Sequence, residues 1–172
     1  MEGFFSKEIN SSLTKLGIYQ TAGGILGIFI IIWAIYYSTL ITGSSVLIYL
    51  LILLFFSYSI FCGILCIKKN EDALVHSLIN QMLQVFGFAI MGFALKYIAG
   101  FYLTIGIDLS NSLEFSFGTG ISKFDFNFNN QKERLELDVN LIALAFIYWI
   151  DKLMQKVKAE EIIRKTSSIG ER

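Results

Sequence analysis

Proline is absent from this chain of 172 residues, and no charged side chain occurs between Lys15 and Lys68, a run of 52 positions. The first absence excludes proline-kinked membrane spans and leaves glycine as the residue able to break a helix. The second excludes an ordinary soluble fold for that stretch. A bilayer core is crossed by about 20 apolar residues, so the run is long enough for two crossings. A charge at a helix centre would cost roughly 2.5–3.5 kcal/mol on insertion scales, which accounts for its absence. Charge is scarce throughout: 16% of residues are charged against 55% hydrophobic, and 14 basic side chains balance 14 acidic ones. With zero net charge there is no global field to attract nucleic acid or an acidic partner.

Cysteine is almost as rare. Cys62 and Cys66 lie four apart in one apolar run, where two side chains on a single helix make a poor disulfide. Zinc needs about four ligands, and the sole histidine, His76, is the only nearby candidate, so the pair reads as small residues packed between helices. Further absences narrow the chemistry. There is no glycine-rich phosphate loop, no His-Glu-x-x-His and no serine–histidine–acid set at one depth. No catalytic, metal-binding or cofactor-binding residue is therefore expected.

What is present reads as four helical spans. Residues 1–16 hold Phe5, Ile9, Leu13 and Leu16 at helical spacing, a juxtamembrane segment suited to the membrane surface. Span one covers Ile18–Ile41, with Trp33, Tyr36 and Tyr37 at headgroup depth, and span two covers Ser45–Ile67, stopped by Lys68-Lys69. The sequence pattern leads to the expectation of no cleavable leader, with the first span acting as its own insertion signal. A third helix is expected to start near Ala73 and cross over 78–98, leaving Lys96 to snorkel at the outer headgroups. Crossing over 85–107 instead would place Lys96 at mid-membrane, where lysine is costly. Spans one to three thus occupy 17–109.

Residues 110–138 change character. Leu113, Phe115 and Phe117 alternate with Glu114 and Ser116, and Phe124, Phe126 and Phe128 alternate with Asp125 and Asn127. Period two on both sides of Gly118-Thr119-Gly120 predicts a β-hairpin turning at the glycines, with all five rings on one face. Leu135, Leu137 and Val139 extend the pattern. A fourth span over Val139–Ile150 then continues as a charged helix to residue 166, before a disordered tail at 167–172. The expected fold is an all-α membrane protein, a four-helix bundle with a small extracytoplasmic hairpin between helices 3 and 4.

Two groups stand out as candidate functional residues. Phe115, Phe117, Phe124, Phe126 and Phe128 make a candidate interaction surface. His76, Asn80, Gln81 and Gln84, with Lys96, make a candidate intramembrane polar stripe that either glues helices together or lines a path. Gly23-x-x-x-Gly27 and Ser59-x-x-x-Gly63 allow close helix approach, chiefly inside the bundle. Lys and Arg number two before span one, two between spans two and three and six in the tail, against three in the long β-rich loop. That bias sets both termini in the cytoplasm.

The layout, with Lys68-Lys69-Asn70-Glu71-Asp72-Ala73-Leu74 before the third helix and Leu141–Glu161 at the end, resembles a family of small four-span bacterial membrane proteins of unknown function. The chain lacks that family's glycine and phenylalanine before span three and its acidic-to-Leu-Thr-Ile ending. The resemblance implies a sensing or regulatory role beside a small helix-turn-helix regulator. The expectation is a non-enzymatic protein of the bacterial cytoplasmic membrane, in contact with the lipid bilayer, a protein partner at the tail and further copies of itself. The alternative is a small transporter using the polar face of helix 3.

Overall fold

The computed structural model describes residues 6–38, 43–110, 112–128 and 134–170. Its elements run α1 (Lys7–Tyr37), α2 (Gly43–Ile67), α3 (Ala73–Met82), β1 (Phe86–Ile90), β2 (Phe93–Asp108), β3 (Glu114–Phe128), β4 (Glu136–Asn140) and α4 (Leu141–Gly170). The all-α four-span bundle is therefore wrong. A four-stranded antiparallel sheet occupies the place of the third span, and α1 and α2 alone among the described residues are long and apolar enough to cross a membrane.

Helix α1 is one unbroken rod. Ser6 caps it by accepting from the Ile9 amide at 3.4 Å, and Glu8 sits in the positive first turn. The surface-lying segment expected at 1–16 is instead, from Lys7 onward, the first turns of this helix; residues 1–5 lie outside the described residues. Ile9, Leu13 and Leu16 fall on one face and are buried against Cys66, Leu74, Ile150 and Leu153, which belong to α2, α3 and α4. Burial against three helices outcompetes a headgroup contact for that stripe.

Helix α2 ends where Lys68-Lys69 predicts. Lys69 takes φ 56°, its amide donates to the Cys66 carbonyl, and the Asn70 amide reaches back to Leu65, the paired bonds of a Schellman stop. Glycines set how closely α1 and α2 pack. A methyl on Gly17 would lie 2.7 Å from the Gly63 carbonyl, and one on Gly24 the same distance from that of Phe56.

Helix α3 stops at Met82, and the chain leaves it as strand. Met91 and Gly92 both take positive φ, which makes a two-residue hairpin turn between β1 and β2 with Ile90 opposite Phe93. Both faces of this hairpin carry apolar residues, so the period of two is hard to tell from that of a buried helix. The fourth span fails for a different reason. From Asp151 onward α4 is charged, and its apolar part is too short to cross. The helix runs on to Gly170, into the tail expected to be disordered, and residues 171–172 lie outside the described ones.

The hairpin expected at residues 113–128 is also corrected. Glu114–Phe128 is one continuous strand whose partner is β2, and Gly118-Thr119-Gly120 lies inside it. These glycines make room rather than a turn: a methyl on Gly118 would sit 2.6 Å from Thr104 Oγ1, and one on Gly120 2.9 Å from the Tyr102 hydroxyl.

The sheet order is β1-β4-β2-β3 with an added β1–β2 pairing, so β1, β4 and β2 close a ring. The first half of β2 pairs with β1 and its second half with β4, while β1 and β4 pair with each other, all antiparallel. One strand can meet both neighbours only by bending sharply. The bend falls between Ile98 and Phe101, where the register with β3 slips, Gly100 takes φ 107° and Ser122 opposite takes φ 45°. Here the sheet meets α1, with Gly23 against the Ala99–Gly100 backbone and Ser122 Oγ donating to the Gly23 carbonyl. Gly23 lies near the middle of α1, about 21 Å from its end at Tyr37 by helical rise.

The helical hairpin α1–α2 thus backs two layers. Beside its lower half stand α3 and α4, and beside its upper half stands the sheet, with Tyr97 and Ala99 packed on Ile31, Ile52 and Phe56.

Candidate functional site

The polar stripe of α3 is turned inward. Asn80, Gln81 and Gln84 are at most 2% exposed, as are Gln20, Ser59 and Ser77 around them. Ser77 Oγ donates to Gln20 Oε1 at 3.0 Å, Asn80 Nδ2 to Ser59 Oγ at 3.2 Å, and Ser59 Oγ to the Gln20 carbonyl. The Tyr97 hydroxyl bonds Asn80 Oδ1 at 3.2 Å and the Phe55 carbonyl at 2.8 Å, and Gln84 Oε1 accepts from the Ala99 amide at 2.8 Å. The Nε2 groups of Gln20, Gln81 and Gln84 have no protein partner among the described residues. His76 stands apart from this network, half-buried, with Nδ1 3.2 Å from the Tyr58 hydroxyl and its ring edge-on to Phe61.

Cys62 and Cys66 pack between α2 and α3, bonding the His76 carbonyl and Ser77 Oγ respectively. Among the described residues no three His, Cys, Asp or Glu side chains gather in a way that would hold a metal ion.

Outside the bundle the distribution is reversed. The outward residues of α3, Val75, Ile79, Met82 and Leu83, are exposed, as are Phe29, Ile32 and Trp33 on α1 and Leu47, Leu50 and Leu54 on α2. The apolar windows of α1 and α2 are only 28% and 33% buried, unlike the core helix of a soluble protein. A polar network is thus buried beside the apolar core, and apolar side chains coat much of the outside of α1, α2 and α3.

Lys96 is neither at the end of a span nor in the middle of one. It lies on β2, with Nζ 2.6 Å from Asp138 Oδ2 on β4, and Ser116 Oγ of β3 donates to Asp138 Oδ1 at 3.1 Å. The two charged side chains are 11% and 13% exposed. Glycines make room for them: a methyl on Gly87 would lie 2.8 Å from Lys96 Cγ, and one on Gly106 2.6 Å from the Leu137 carbonyl beside Asp138. The sequence reading missed Tyr97, Ser116 and Asp138. Of these only Ser116 is marked in the sequence, as a polar member of the alternation over 113–117.

The phenylalanines do not form one face. Phe115 and Phe117 are 73% and 79% exposed, whereas Phe124 packs near Phe55 of α2 and Phe126 meets Phe93 edge-on. The side chains of Asn127 and Phe128 lie outside the described residues. The bend at Ser122 separates the two groups, because a bulge changes which residues share a side. With Ile105, Ile107, Leu137 and Val139, Phe115 and Phe117 line a cavity of about 300 Å³ on the sheet's apolar side. A second hollow of about 570 Å³ continues over Phe101, Leu103, Ile121 and Ile142. At the far end Arg134 grips Asp125 at 3.0 Å and Glu136 at 2.7 Å. The Glu136 hydrogen bond leads in raising its pKa.

No protein-family model, curated protein or solved structure matches the chain. The resemblance to four-span proteins gains no support from likeness, and its four-span layout is not the architecture of this fold.

Proposed function

We propose that the chain is a non-enzymatic protein of the bacterial cytoplasmic membrane that acts through interaction, in a sensing or regulatory role. The observation that carries this reading is the apolar coat on α1, α2 and α3 around a buried polar network. Gln20, Ser59, Asn80, Gln81 and Gln84 are buried, while Phe29, Trp33, Leu47, Leu54, Ile79 and Met82 face outward. Water would penalise that surface, and hydrocarbon would not. The helical hairpin crosses, and α3, α4 and the sheet stand against it at membrane depth.

The basic residues support an orientation. Lys7, Lys15, Lys68, Lys69 and the charged half of α4 gather at one end, where Lys156 pairs with Glu8. That end is cytoplasmic by the bias of lysine and arginine, with both termini on that side. Exposed Ile162 and Ile163 on the projecting end of α4 offer a protein partner a contact. The transport reading needed the α3 stripe to line a path, and its buried hydrogen bonds to α1, α2 and β2 argue against one.

Two measurements test this reading. The protein should stay in the membrane pellet after alkaline carbonate washing. A membrane-impermeant thiol reagent applied to spheroplasts should spare Lys158→Cys and label it only after lysis. Release by carbonate, or labelling of Lys158→Cys in intact spheroplasts, would refute the reading.

A further inference from the structure

Among the described residues β3 pairs only with β2, so its outer row of amides and carbonyls has no strand beside it. From Ser122 onward β3 rests on α1, but residues 114–121 project beyond that contact. This projecting edge has few of the usual protections. It holds no proline and one charge, Glu114, and it is flanked by Phe115 and Phe117, both more than 70% exposed. In hydrocarbon an open edge leaves backbone groups unsatisfied, and in water a long apolar edge recruits another strand. The inference therefore stands whether or not the sheet lies at membrane depth.

We propose that a second copy of this chain covers the edge, with β3 pairing antiparallel to β3 of its twin about a two-fold axis. Side chains alternate along a strand, so like faces meet only if the axis falls on a residue rather than between two. An axis on Gly118 centres the projecting segment. Phe115 then lies beside Ile121 of the twin and Phe117 beside Thr119, both on the apolar side. Ser116 meets Gly120 on the other side, so small faces small. Glu114 meets Ser122 rather than a second carboxylate. The sequence of the edge is thus complementary to itself, and the two apolar faces with their cavities join into one continuous surface.

Cysteine pairing in native membranes tests the arrangement. In a background with Cys62→Ala and Cys66→Ala, differently tagged Phe117→Cys and Thr119→Cys chains would be co-expressed and oxidised. Directly opposed positions on antiparallel strands lie about 4.5–5.5 Å apart at Cα, within disulfide reach. The mixed pair should give a disulfide-linked dimer at several-fold higher yield than Leu103→Cys, which neighbours Thr119 one strand inward on the same face. Equal yields at Leu103 and at the mixed pair would mean random collision and overturn the proposal. Absence of the mixed dimer from correctly inserted, pelletable protein would overturn it while leaving the membrane reading standing. A disulfide to a different protein instead of the twin would also overturn it.

Discussion

Removing the carboxylate of Asp138 should be among the most damaging changes to the fold. Its partner Lys96 lies 2.6 Å away, and both side chains are about nine-tenths withdrawn from solvent. The pair also ties the first half of β2 to β4, so it helps to hold the ring of strands closed. Loss of one member of a buried pair strands the other charge, which costs roughly 3–5 kcal/mol. Because a tenth of each side chain still reaches solvent, Asp138→Ala should fall near the lower end, about 3 kcal/mol. Lys96→Met should cost somewhat less, since the remaining carboxylate still accepts from Ser116. The double change removes both charges and should cost far less than the sum of the two, with a coupling of roughly 2–3 kcal/mol. Reversible unfolding in mixed micelles, followed by near-ultraviolet circular dichroism, would supply the double-mutant cycle. Additivity within about 0.5 kcal/mol would refute the account of a desolvated, mutually dependent pair.

Two further expectations concern β3. Phe124→Ala opens space against Phe55 and should cost about 1–3 kcal/mol, less than a fully buried ring, while Phe117→Ala should leave the monomer's stability within about 0.5 kcal/mol; equal losses in the same assay would contradict the two environments. Gly118→Ala should cost about 1–3 kcal/mol by crowding Thr104, and Thr104→Ala should recover part of that loss. A glycine needed only for a turn would show no such rescue.

The helices were largely legible in the sequence. The charge-free run between Lys15 and Lys68-Lys69 marks α1 and α2, because a stretch of that length has few other uses. The charged stretch after Asp151 marks the lower part of α4. Strands were legible only where one face is polar, as at Glu114–Phe117. Where both faces are almost wholly apolar, as in Phe86–Ile90 and, apart from Lys96, Phe93–Ile98, the alternation is lost and a long helix fits the composition equally well. The turn that divides these strands is Met91-Gly92, whose methionine carries no turn signal. Conversely Gly118-Thr119-Gly120 looks like a turn and is a clearance for Tyr102 and Thr104. The inward stripe of α3 was visible from its spacing, but not its partners: Gln20, Ser59 and Tyr97 come from three other elements. Lys96 was misplaced because its partner, Asp138, lies across a sheet that the sequence did not reveal.

The change from helix to strand at the level of Gly23 dictates an order of assembly. In the proposed membrane setting a crossing takes about 20 apolar residues in one helix, and among the described residues only α1 and α2 supply such a helix. The apolar stretch over 85–107, broken by Lys96 alone, folds mainly as strands, and alone in lipid these would have bare backbone groups. They can settle only onto a surface that already exists, where Gly23 receives Ala99 and where Phe55 and Phe56 receive Tyr97. The hairpin is a mould, and the rest of the chain is cast against it. On that reading a chain ending near residue 70 would still insert, whereas residues 73–170 made alone would lack the surface they fold against.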